Sequence, residues 1–151
     1  MGLFGLFKKT PVVQDADFGE MRFYKSKKAD DEFFEAEGYF KPLNAKVGFI
    51  IQANETGPTK EQKLFLRFVE DNYEGLTEKM KPLIIDKFRN WKENFVIVDF
   101  NKEFTPESIT IPRFTGKPLI WEICFTTTHD SNHWVTIDLT DFEPTGILVD
   151  G

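Results

Sequence analysis

The chain has 151 residues and a net charge of −6 at pH 7, and its aromatic load includes 17 Phe, 3 Trp and 3 Tyr. That length makes one domain with a core that needs no staple, and the acidic balance excludes the basic face a nucleic-acid binder requires. A single cysteine, Cys124, excludes an internal disulfide and fits a reducing, cytoplasmic compartment, while no apolar run reaches the ~20 residues that cross a bilayer.

Residues 1–16 read as an N-terminal leader. Leu3, Phe4, Leu6 and Phe7 make a short apolar stretch with neither a preceding basic region nor a cleavage site, which argues against a secretory signal. Leu6 stands where N-myristoylation wants Ser or Thr. The stretch suits either a docked terminus or a peripheral membrane anchor.

Residues 17–151 read as a single α+β domain. Met21 and Phe23 alternate with Arg22 and Tyr24, and Phe34, Ala36, Gly38 and Phe40 alternate with Phe33, Glu35, Glu37 and Tyr39. That period of two predicts strands, and a third follows over 46–53. Thr59 with Gln62 forms a capping box, behind which Leu64, Phe65, Phe68, Val69 and Tyr73 give a helical stripe ending at Gly75. Met80, Leu83, Ile84, Phe88 and Trp91 mark a second helix, in which Pro82 either kinks the helix or occupies its first turn. Strands are expected over 95–100 and 108–111, then over 119–127, 133–139 and 147–150. The expected fold is an antiparallel sheet meander with a two-helix insertion packed on one face.

The last third, from Lys117 onward, concentrates the side chains of interest. Lys117 is its only cation against Glu122, Asp130, Asp138, Asp141, Glu143 and Asp150, and it holds both histidines. His129 and His133, with Asp130, are the residues that could ligate a metal. Their separation by Asp, Ser and Asn is turn chemistry rather than one helix face, so neither a metal nor a cofactor is expected. Glu122 shares a strand face with Ile120 and Cys124 and would act as acid or base only if that face were covered. Trp134 shares a face with Thr136 and Asp138, opposite Val135, Ile137 and Leu139. With the aliphatic face inward, Trp134 points outward beside acids, as a protein-binding hot spot does. No glycine-rich phosphate loop, nucleophile elbow or paired-cysteine motif is present.

Several features in sequence order carry a resemblance. They are Asp17-Phe18-Gly19 opening a strand, an acidic strand pair, Thr59 and Gln62 starting a two-helix insert, Trp121, the alternating His133, Val135 and Ile137, and Asp150-Gly151. Over most of residues 17–151 the pattern resembles small bacterial intracellular domain families of unknown function, some of them associated with toxin-immunity systems. The resemblance implies no active site.

The leading expectation is a non-enzymatic protein-binding module, most concretely an immunity-type inhibitor occluding a basic bacterial toxin. Trp134 would anchor the contact, and Asp138, Asp141 and Glu143 would be its charge partners. The alternatives are a small hydrolase or metal-dependent enzyme using His129, His133, Glu122 and Asp130, and a membrane-peripheral scaffold anchored by Leu3, Phe4, Leu6 and Phe7.

Overall fold

In the computed structural model, residues 11–116 and 118–151 are described. Leu3, Phe4, Leu6, Phe7 and Lys117 lie outside the described residues.

Eight strands form one sheet in the order of the chain: β1 (Val12–Asp15), β2 (Gly19–Tyr24), β3 (Phe33–Phe40), β4 (Ala45–Ile51), β5 (Phe104–Ile111), β6 (Ile120–Thr127), β7 (Asp130–Thr140) and β8 (Glu143–Asp150). Neighbours are antiparallel except β4 and β5, which run parallel in the middle of the sheet. A parallel pair needs a long crossover. Helices α1 (Lys60–Asp71) and α2 (Tyr73–Phe88) provide it, followed by the single turn α3 (Phe100–Glu103). The fold is therefore mixed α and β, with two antiparallel meanders joined by a parallel seam.

Alternation decides which face is covered. Phe34, Ala36 and Phe40 of β3, Val47, Phe49 and Ile51 of β4, Ile109 and Ile111 of β5, and Trp121, Ile123 and Phe125 of β6 all point to one side and are buried. They meet Phe65, Leu66 and Val69 of α1 and Tyr73, Leu76, Met80, Ile84 and Phe88 of α2 in one continuous core. Edge-to-face aromatic contacts tie the layers, such as Phe65 on Trp121 at 4.9 Å and Phe40 on Tyr73 at 5.1 Å. At the N-terminal end, the turn between β1 and β2 crosses β3 so closely that a Cβ on Gly38 would collide with the Phe18 carbonyl.

The capping box at the start of α1 forms as expected. Thr59 Oγ1 accepts from Gln62 N at 3.2 Å, and Gln62 Oε1 accepts from Thr59 N at 3.0 Å. Gln62 is also the bolt between helix and sheet, since its buried amide donates to the carbonyls of Gln52 and Pro112 at 2.8 and 3.0 Å.

Two local expectations are corrected and one left open, the place of Pro82, is resolved. The first helix stops at Asp71 rather than Gly75, because the Asn72 side chain donates to the Phe68 carbonyl and caps it. The second helix starts at Tyr73, so exposed Pro82 lies inside it, and the Glu78 carbonyl loses its helical donor to solvent. Residues 95–100 are not a strand. Phe95 and Phe100 are buried from a loop and from α3, against Phe88 and against Phe104 and Phe125 respectively. In addition, Val12–Asp15, within the stretch read as leader, forms the edge strand.

Candidate functional site

Among the described residues, the same alternation that builds the core leaves the opposite face of the sheet without helices. In-register pairs define that face: Glu20 with Glu37, Glu35 with Ile50, Gly48 with Ser108, Ser108 with Cys124, Glu122 with Asp138, Cys124 with Thr136, and Trp134 with Asp150. Glu107, the extra residue of a bulge in β5, belongs there too, as its charge acts on the Cys124 thiol. The face thus carries Glu20, Glu35, Glu37, Glu107, Glu122, Asp138 and Asp150 against Arg22 and Lys46. Among the described residues, none of these carboxylates is in an ion pair. Tyr39, Ile120, Trp134 and Leu148 stand exposed between them.

The carboxylates feel their neighbourhood. Partial burial pushes Glu122 above its ordinary value, and Asp138 directly across the strand pair pushes it further. Burial also raises Glu35. The Cys124 thiol is raised first by burial, against a hydrogen bond with Thr136, and further by the charges of Glu107, Glu122 and Asp150. A cation placed over this face would relieve all of these.

Relief on the face is low at its centre. Gly48 has no Cβ, and one built there would meet the Glu107 carbonyl at 2.6 Å. A depression of about 430 Å³ lies over Gly48, Ser108, Glu35 and Lys46, and another of about 360 Å³ over Thr110, Glu122 and Asp138. Ile50 and Ser108 line both.

No family model, curated protein or solved structure matches this chain.

The residues singled out in the sequence divide between the two sides and two ends of the sheet. Trp134, 48% exposed, and Asp138 share the uncovered face two positions apart from Thr136. Asp141 and Glu143 are not beside them. Asp141 sits at the turn between β7 and β8 with φ 53°, where its carboxylate accepts from Leu119 N at 3.1 Å and its carbonyl from Trp121 Nε1 at 2.6 Å. Glu143 is bound to Lys79 of α2 at 2.6 Å. Trp134 pairs with Asp150 at the other end of the same hairpin, whereas Glu143 pairs with Thr140, about 20 Å along the strand.

The histidines also separate. His129 Nε2 lies 2.6 Å from Glu103 Oε1, with its ring against Phe95 and Phe104. Burial alone would raise Glu103, but hydrogen bonds from Asp99 N, His129 and Val98 N outweigh it and hold the carboxyl below its ordinary range. His133 Nδ1 lies 2.7 Å from Asp130 Oδ2, and that bond, with Asn132 N, lowers Asp130. Glu122 is mid-strand on the uncovered face, away from both pairs. Among the described residues, no three His, Cys, Asp or Glu side chains are grouped to hold a metal ion. None of their helices is long and apolar enough to cross a membrane.

Sequence reasoning missed Glu35, Glu37 and Glu107 as members of this face. The alternation of β3 already placed the first two opposite Phe34 and Ala36. Only the parallel seam brings them beside the C-terminal third.

Proposed function

We propose that this chain is a non-catalytic protein-binding module that engages a basic partner through the uncovered face of its sheet. The concrete form we favour is an immunity-type inhibitor that occludes a basic bacterial toxin, as the resemblance of residues 17–151 to bacterial domain families suggests. The supporting observation is the face itself: among the described residues, helices cover one side of an eight-stranded sheet, and the other presents seven carboxylates and exposed aromatic and aliphatic side chains against two cations. Opposite fields would speed encounter, and the apolar groups would supply contact area once water is excluded.

Trp134 and Asp138 keep their roles as anchor and charge partner in this reading. Asp141 and Glu143 contribute through the fold instead, since both are engaged by residues of the chain itself. The test is capture of binding proteins on the immobilised chain, repeated with Asp138→Lys. A basic protein held at low salt, released at high salt and lost with the variant is the expected result. Capture indifferent to both salt and the variant would overturn the reading.

A further inference from the structure

We infer that residues 1–10, the segment leading into β1, dock on the corner of the uncovered face formed by Arg22, Tyr24, Phe33 and Glu35, with Leu3, Phe4, Leu6 and Phe7 supplying the cover. The inference goes beyond the protein-binding reading and does not depend on it.

The observation that carries it is the burial of Tyr24. Its register partner is Phe33, and both lie on the side of the sheet opposite Met21 and Phe34. Large side chains elsewhere on that side stand half open to solvent, with Tyr39 54% exposed and Trp134 48%. Tyr24 is only 8% exposed. It nevertheless stands apart from the continuous core, which takes in Met21 and Phe34 from the other side. Phe33 stacks on one face of the Tyr24 ring at 5.0 Å, which leaves the second ring face to another cover. The loop between β2 and β3 is drawn elsewhere. Arg113 donates to the carbonyls of Ala29 and Glu32, and Asn54 to the Ala29 carbonyl and the Glu32 carboxylate. Burial also pushes the Tyr24 hydroxyl and the Glu35 carboxyl above their ordinary values, as an apolar layer over this corner does.

Position and length single out the segment. β1 is antiparallel to β2 with Val12 opposite Arg22, so the chain enters the sheet from the end of β2 at which Tyr24 lies. Val12 shares a register row with Arg22 and Glu35 on the uncovered side. Two strand spacings put Phe33 ~10 Å in from the β1 edge, and ten residues can span as much as ~33 Å.

Composition fits the same corner. Four large apolar side chains are followed by Lys8 and Lys9. Phe4 and Phe7 can meet the rings of Tyr24 and Phe33. The two lysines precede Val12 by three and four residues, ~10–13 Å of chain, which brings Glu35 within reach on a face where acids outnumber cations. The segment would then occupy the corner over β1 to β3 and leave the half of the face with Trp134 and Asp138 open to a partner.

Hydroxyl-radical footprinting of the full chain, with oxidation read at each tyrosine by mass spectrometry, tests this with Tyr39 as internal reference. With exposures of 8% and 54%, Tyr24 should react roughly sevenfold more slowly than Tyr39. Deleting residues 1–10 should close most of that gap and leave Tyr39 unchanged. Phe4→Ser with Phe7→Ser should do the same while keeping the β1 pairing, which separates lost cover from a frayed edge strand. Benzoylphenylalanine in place of Phe7 should cross-link, within monomers, to peptides carrying Tyr24 or Phe33.

A Tyr24 as reactive as Tyr39 in the full chain would overturn the inference, and so would an unchanged Tyr24 rate in both variants. A rise confined to the deletion would point to loss of β1 and overturn it too. Cross-links from position 7 to α1, or between two copies, would place the segment elsewhere with the same consequence. Flotation with phosphatidylserine vesicles that is lost on deletion, with no change at Tyr24, would make the segment a membrane anchor instead. None of these results bears on binding of a basic partner at Trp134 and Asp138.

Discussion

Replacing Trp134 by alanine isolates the contribution of the uncovered face to binding. The side chain is 48% exposed in the free chain, so of the ~250 Å² a tryptophan can bury, about 120 Å² is left for a partner to cover. At ~25 cal/mol per Å² that area is worth ~3 kcal/mol, less the small share alanine retains, so Kd should rise roughly a hundredfold. Titration calorimetry with a captured basic partner measures it, alongside a thermal melt to confirm that the variant is folded. Asp138→Ala should add nearly its full single effect when combined, because the two side chains stand four residues apart on β7, ~13 Å, beyond the range at which side chains couple directly. Asp141→Ala is the informative control. It frees Leu119 N and lowers the melting temperature, yet should leave Kd unchanged because that carboxylate serves the turn. A Trp134→Ala Kd close to that of the parent chain, with a folded variant, would refute the assignment of this face as the docking surface.

Gln62→Leu should destabilise the chain by about 2–4 kcal/mol in urea titration, since it removes three hydrogen bonds and leaves the carbonyls of Gln52 and Pro112 without their buried donor; loss of less than ~0.5 kcal/mol would show that the bolt is dispensable. Gly38→Ala should cost at least about 1–3 kcal/mol by forcing the Phe18 turn off β3, read as a lower urea midpoint. Glu122 has its folded pKa raised above 4.5, so its contribution to stability falls as pH rises from the unfolded value through the folded one. Glu122→Gln should therefore flatten that part of the stability profile, and affinity for a basic partner should rise over the same interval as the carboxylate ionises. Glu103 behaves oppositely, because its pKa is held below 4.5; the stability it contributes is complete above that value and lost as pH falls through the folded pKa. His129→Ala should move this acid transition to higher pH in a melt series.

Much of the architecture is legible in local pattern. The alternation over Phe33 to Phe40 and over Trp134 to Leu139 reports which residues face the core, and the Thr59 and Gln62 pair reports the start of α1, because each rests on contacts within a few residues. What local pattern does not carry is non-local pairing. Phe95 and Phe100 are as apolar as strand residues yet bury against Phe88, Phe104 and Phe125 without joining the sheet. Gly75 sits in a helix that α2 packing sustains, while a capping side chain at Asn72 makes the break. The outward direction of Trp134 and Asp138 follows from alternation. The separation of Asp141 and Glu143 follows from a hairpin turn and a bond to Lys79, neither visible as periodicity.

The parallel seam between β4 and β5 bears on how the chain is made. Ala45–Ile51 pairs with β3 across a short turn, but its other edge waits for Phe104–Ile111, beyond both helices. A nascent chain halted within the crossover would display an unpaired strand edge carrying Val47, Phe49 and Ile51, the kind of template that recruits other chains. Translation rate through residues 52–103 should therefore govern soluble yield more than codon choice elsewhere. Slowing it would leave the first meander searching for a pairing partner in the crowd around the ribosome.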